Sequence, residues 1–105
     1  MYEDAVRLMD SPDLAAFNIH KEDDKTKERY GSEPFAQGCL LARRLIERNV
    51  RSVEVSFGGW DTHQNNFTSL PELCHTMDQA VAALLDDLAR VGKLKDTIVV
   101  LTAEF

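Results

Sequence analysis

Val53-Glu54-Val55-Ser56-Phe57-Gly58-Gly59-Trp60-Asp61-Thr62-His63 is the stretch on which the reading of this chain turns. Its first five residues alternate apolar and polar, the period of a half-buried strand. Gly58 and Gly59 break the run and free the backbone. Asp61 and His63 follow two positions apart, so in an extended loop both side chains point to the same side. A carboxylate oxygen and an imidazole nitrogen are ligands for zinc, manganese or iron. Loops at the carboxyl ends of parallel strands are where open α/β sheets build their sites. The competing reading makes Asp61 a turn cap and His63 an exposed loop histidine.

Outward from that stretch, the pattern turns helical on both sides. Upstream, Phe35, Gly38, Cys39, Ala42, Leu45 and Ile46 recur at helical spacing and predict a helix from Pro34 to about Arg48. Ser32 is its expected N-cap, and Asn49 suits a left-handed residue at its end. Downstream, Leu73, Met77, Val81, Leu84, Leu85, Leu88 and Val91 predict a helix from Pro71 to about Val91. Ser69 and Glu72 have capping-box spacing, and Gly92 is the stop signal. Thr97 to Thr102 is a continuous apolar run and reads as a buried parallel strand. With the strand from Arg51 to Phe57, these elements spell a βαβ unit with a right-handed crossover. Parallel strands end on one edge, so Glu104 is expected beside Asp61 and His63 as a third metal ligand.

The first 30 residues read as a helical lead-in. Ser11 caps a short turn opened by Pro12. Lys21 to Arg29 is almost wholly polar and reads as a solvated helix or linker. Residues 31–105 form the helix-strand-helix-strand part of what reads as a single partial domain. Two parallel strands alone leave edges and faces uncovered. The expectation is therefore an internal fragment of a larger α/β domain, with the remainder of that domain or other subunits completing the sheet.

Composition narrows the function classes. The chain has 105 residues, is 44% apolar and 29% charged, and has a net charge of −6. Those proportions are ordinary for a globular protein. The negative charge argues against nucleic acid or an anionic membrane surface as partner. A phosphate or sulfate ester stays open, since a bound metal supplies local positive charge. No apolar stretch is long enough to span a bilayer. Met1-Tyr2-Glu3-Asp4 is acidic and lacks the form of a signal peptide. Cys39 and Cys74 fall on helical stripes and read as buried thiols, with a disulfide left open. His20 reads as exposed, and His75 as bonded at the surface to Asp78.

Taken together, Tyr30-Gly31, Pro34-Phe35, Cys39 to Leu45, Gly58 to His63, Leu84 to Leu88 and Thr102-Ala103-Glu104-Phe105 resemble domain of unknown function 1501. Gly-Gly-Trp-Asp-Thr-His is the most specific block, and the resemblance covers nearly the whole chain. It implies a sulfatase-like protein of the alkaline-phosphatase superfamily and a fragment of a three-layer α/β sandwich. The implied activity is metal-dependent hydrolysis of phosphate or sulfate esters, on a small molecule or a polymer, with zinc, manganese or calcium as the divalent metal. Asp61 and His63 match a first ligand pair. Glu104 stands where the superfamily motif has Asp, and Phe105 where it has His, which cannot ligate in that form. The alternative is a non-catalytic, envelope-associated binding protein of the same fold. Many relatives carry a twin-arginine signal, which implies export to the periplasm or cell envelope.

Overall fold

The computed structural model describes residues 1–104. It contains four α-helices: α1 (Tyr2–Met9), α2 (Asp24–Tyr30), α3 (Pro34–Glu47) and α4 (Asn66–Arg90). Short 3-10 turns lie at Pro12–Phe17, Ile19–Lys21 and Leu94–Asp96.

Among the described residues there is no β-strand and no sheet. The expected α/β sandwich, with its parallel strands and βαβ unit, is thereby overturned. The two apolar runs fail as strands for different reasons. Val53, Val55 and Phe57 are half-buried while Glu54 and Ser56 are exposed, so the alternation is real. It serves side-chain packing against α3 and leaves the backbone unladdered. Ile98 to Leu101 is mostly exposed: Ile98 is 89%, Val100 73% and Leu101 78% exposed. A strand needs a neighbour about 4.8 Å away to pair its N–H and C=O groups, and neither run has one.

α3 and α4 form the main helix pair, and α2 lies across both. Tyr30, Ala36, Cys39, Leu40, Ala80 and Ala83 make the buried cluster, with Ile19, Phe35, Val55 and Leu84 packed around it. Small residues on both long helices allow close approach. Gly38 shows how close: a Cβ there would stand 2.7 Å from Val55 Cγ1. Replacing an ordinary helical glycine by alanine gains about 1 kcal/mol. Here overpacking costs about 1–3 kcal/mol, and valine is stiff at χ1 and cannot swing clear. Gly38→Ala is therefore expected to lower the thermal midpoint. A raised midpoint would show that residues 53–57 do not rest on α3.

The helix ends follow the sequence closely at their C-termini. Asn49 adopts φ 65°, and the amides of Asn49 and Val50 bond Ile46 O and Leu45 O at 2.9 and 3.1 Å. Gly92 adopts φ 75°, and the amides of Gly92 and Lys93 bond Ala89 O and Leu88 O at 3.1 and 2.8 Å. Both are Schellman closures, which satisfy otherwise unpaired carbonyls. The N-termini differ from expectation. Glu33, not Ser32, stands at the start of α3 and makes no side-chain cap bond. α4 begins at Asn66, five residues before Pro71, which lies inside it. Pro71 removes one intrahelical bond near an exposed first turn, where water can take the freed carbonyl.

The lead-in is fastened by charge. Asp23 caps α2 by accepting from Thr26 N at 2.6 Å. Arg44 donates from Nε to Ala16 O at 2.7 Å and from Nη2 to Ala15 O at 2.9 Å, closing the end of the Pro12–Phe17 turn. Its Nη1 meets Glu22 at 2.5 Å. The polar run that reads as solvated thus ends in a core anchor. Tyr30 is buried, and its hydroxyl donates to Asp87 Oδ2 at 2.9 Å. Arg29 reaches Asp87 Oδ1 at 2.7 Å, Arg43 lies 3.6 Å from Asp87 Oδ2, and Arg90 also pairs with Asp87. Asp87 is 2% exposed.

Burial alone pushes the Asp87 carboxyl up. Hydrogen bonds from Arg29 and Tyr30, with the charges of Arg29 and Arg90, outweigh burial and hold it below the usual carboxylate value. The unfolded chain then binds the proton more readily, so stability rises with pH across this group. Its contribution is complete above the unfolded value of about 3.9 and is lost as pH falls through the lower folded value. Acid unfolding should therefore steepen below about pH 4, and Asp87→Asn should flatten that limb. An unchanged acid limb in the variant would remove Asp87 from the account of acid stability.

Candidate functional site

The loop between the Val53–Phe57 run and α4 is held at both ends. At its start Phe57 stacks on Phe35 with centroids 4.4 Å apart and planes 13° apart. Trp60 meets Phe57 edge-on at 5.3 Å. Trp60 thus packs on this aromatic pair. Gly59 has φ +90°, a conformation that L side chains rarely adopt. At the far end Asn65 is left-handed (φ 58°) and accepts from Ser69 N at 2.8 Å. Thr62 Oγ1 and Asn66 Oδ1 are 2.5 Å apart, the hydroxyl donating, so Asn66 shapes the turn.

Between these anchors Asp61 and His63 are exposed, and Asp61 Oδ1 contacts His63 Nδ1. The two-residue spacing brings both onto one side, as extended backbone dictates. When Nδ1 carries a proton donated to the carboxylate, Nε2 is left with its lone pair facing outward, as in carboxylate–histidine–metal arrangements. When Nδ1 is unprotonated, its lone pair and the carboxylate converge on one point and can share a cation.

Glu104 is exposed on the extended run that follows Thr97. Among the described residues no group of three or more His, Cys, Asp and Glu side chains is gathered closely enough to hold a metal ion. The structure therefore brings Asp61 and His63 together and does not bring Glu104 to them. Phe105, which stands at the histidine position of the resembled motif, lies outside the described residues.

The remaining candidates fall as follows. His20 is exposed on the Ile19–Lys21 turn. His75 is exposed and makes no bond to Asp78; it lines two adjoining recesses with Glu33 and Thr76. Cys39 is buried and free, its thiol pushed up to about 11 by burial. Cys74 is exposed and free, which corrects the reading of two buried thiols and leaves no disulfide. The sequence reading missed Asp87. Ala80, Ala83 and Asp87 follow at steps of three and four, so the aspartate continues the buried face. A carboxylate at that register, with Arg29, Arg43 and Tyr30 elsewhere, was the available signal. No helix among the described residues is long and apolar enough to cross a membrane.

The model of one protein family, described as "Protein of unknown function (DUF1501)", matches residues 1–105. No curated protein and no solved structure matches the chain.

Proposed function

This chain belongs to the family Protein of unknown function (DUF1501), and on that premise we propose that it is part of a metal-dependent hydrolase of phosphate or sulfate esters, sulfatase-like in kind. The reading rests on one observation: Asp61 and His63 place a carboxylate oxygen and an imidazole nitrogen in contact on an exposed loop with packing and hydrogen-bond contacts at both ends. That donor pair fits zinc or manganese better than calcium, which prefers oxygen alone. Two donors are fewer than the three protein ligands of a catalytic zinc site. Glu104 is the third we assign, carried by a run that makes no backbone hydrogen bond among the described residues from Ile98 onward. When bound, the metal polarises the ester and stabilises the charge that develops on it. Asp61 and His63 hold it, and the aromatic anchor of Phe35, Phe57 and Trp60 fixes the loop that carries them. Action at the cell envelope belongs to the same proposal.

Calorimetric titration with zinc and with manganese tests it. The wild-type chain should bind one ion, and His63→Ala should bind at least about tenfold more weakly, the scale on which even outer-shell partners act. Equal binding by the two removes His63 from the site.

A further inference from the structure

A recess of about 950 Å³ opens directly beside the Asp61/His63 loop. It is a broad depression, open to solvent over much of its surface, so a ligand there would rest against one wall rather than be enclosed. Gly58 and Gly59 form part of its wall. Asp61 follows Gly59 by two residues, so their Cα atoms lie within about 7 Å of each other. The recess therefore shares a lip with the ligand pair.

Its lining is divided. Phe35, Phe57, Pro71 and Leu73 give an apolar wall, and Phe35 and Phe57 are the stacked pair. Ser56, Ser69 and Thr76 add hydroxyls. The charged groups are Glu33 and Glu72, both exposed, and His75 is the one imidazole. No lysine or arginine lines it.

We infer that this recess binds an uncharged aromatic ring, the organic half of the ester whose anionic head the Asp61/His63 loop would hold. The identification of that ring as half of an ester rests on the proposed function; the binding of the ring does not. Aromatic and proline walls offer flat apolar contact, and aromatic pairs add about 0.5–1.5 kcal/mol beyond area. Two carboxylates with no cation repel a second negative charge. The division of labour follows: the anionic group goes to the metal loop, and the neutral ring goes under the glycines. Phe57 contacts both the ring recess and Trp60, so it sets the specificity for the organic half.

Three probes decide this, each added to the metal-free chain in the presence of chelator and followed by amide shifts of Gly58, Gly59 and Leu73. Benzyl alcohol should shift these amides saturably. Benzoate, the same ring with a negative charge, should bind at least about fivefold more weakly, the effect of like charges a few ångströms apart in water. Methyl glucoside, a neutral but non-aromatic ring, should leave them unmoved. Glu33→Gln with Glu72→Gln should remove the benzoate deficit without altering benzyl alcohol binding, since both side chains are exposed and neither makes a bond. Benzoate binding as tight as benzyl alcohol, tighter binding of the glucoside, or no saturable shift with benzyl alcohol overturns the inference. Because chelator is present, each of those failures leaves metal binding by Asp61 and His63 to be judged separately.

Discussion

Asp87→Ala is expected to destabilise the chain by about 3–5 kcal/mol, the cost of removing one partner from a buried charge network. The carboxylate is met by Tyr30 Oη and Arg29 and faced by Arg43. Arg43 is 12% exposed and its buried Nε has no hydrogen-bond partner among the described residues. Removing Asp87 leaves that guanidinium nearer to an uncompensated buried charge, though Glu22 and Glu47 still pair its Nη atoms. Tyr30 loses the acceptor for a buried hydroxyl, about 1–3 kcal/mol by itself. Small domains hold about 5–15 kcal/mol in all, so the variant should be largely unfolded at modest urea. Tyr30→Phe, which removes only the hydroxyl, should cost less. Urea unfolding followed by helical circular dichroism measures both. A midpoint for Asp87→Ala equal to wild type would show that the network is ornamental to stability.

Leu88→Ala should cost about 2–5 kcal/mol, the range for truncating a buried leucine. Leu88 is 1% exposed, whereas Leu84 is only half-buried at the edge of the core cluster. Leu84→Ala should therefore cost clearly less than Leu88→Ala. The order decides which face of α4 is inside. Equal losses, or a larger loss at position 84, would place Leu84, and not the Ala80-Ala83-Asp87-Leu88 face, at the centre of the core.

That distinction marks what the sequence could and could not say. Helical periodicity located α3 and α4, and Asn49 and Gly92 marked their ends, because these signals are local and act within a few residues. The alternation at Val53 to Phe57 was also legible, but alternation reports only that one side of an extended segment is buried. It does not say whether the backbone finds a partner strand, which depends on distant chain. Val55 instead rests on Gly38, and Ile98 to Leu101 stays largely exposed. Asp87 was hidden for a related reason. A lone aspartate in a helix is usually a solvated one, and only the arrival of Arg29, Tyr30 and Arg43 from other elements makes its burial tolerable. At the site, the two-residue spacing of Asp61 and His63 is local and was readable. The position of Glu104 depended on two strands ending together, and with no sheet among the described residues nothing enforces it.

The most direct test of the proposed metal pair is long-range proton–nitrogen correlation NMR of the three imidazoles as zinc is added. His63 should show a large shift of one ring nitrogen that completes at one molar equivalent and is reversed by chelator. His20 and His75 should stay where they are. Movement of His20 or His75 in place of His63, or no change at His63 at saturating zinc, would contradict the assignment of Asp61 and His63 as metal ligands.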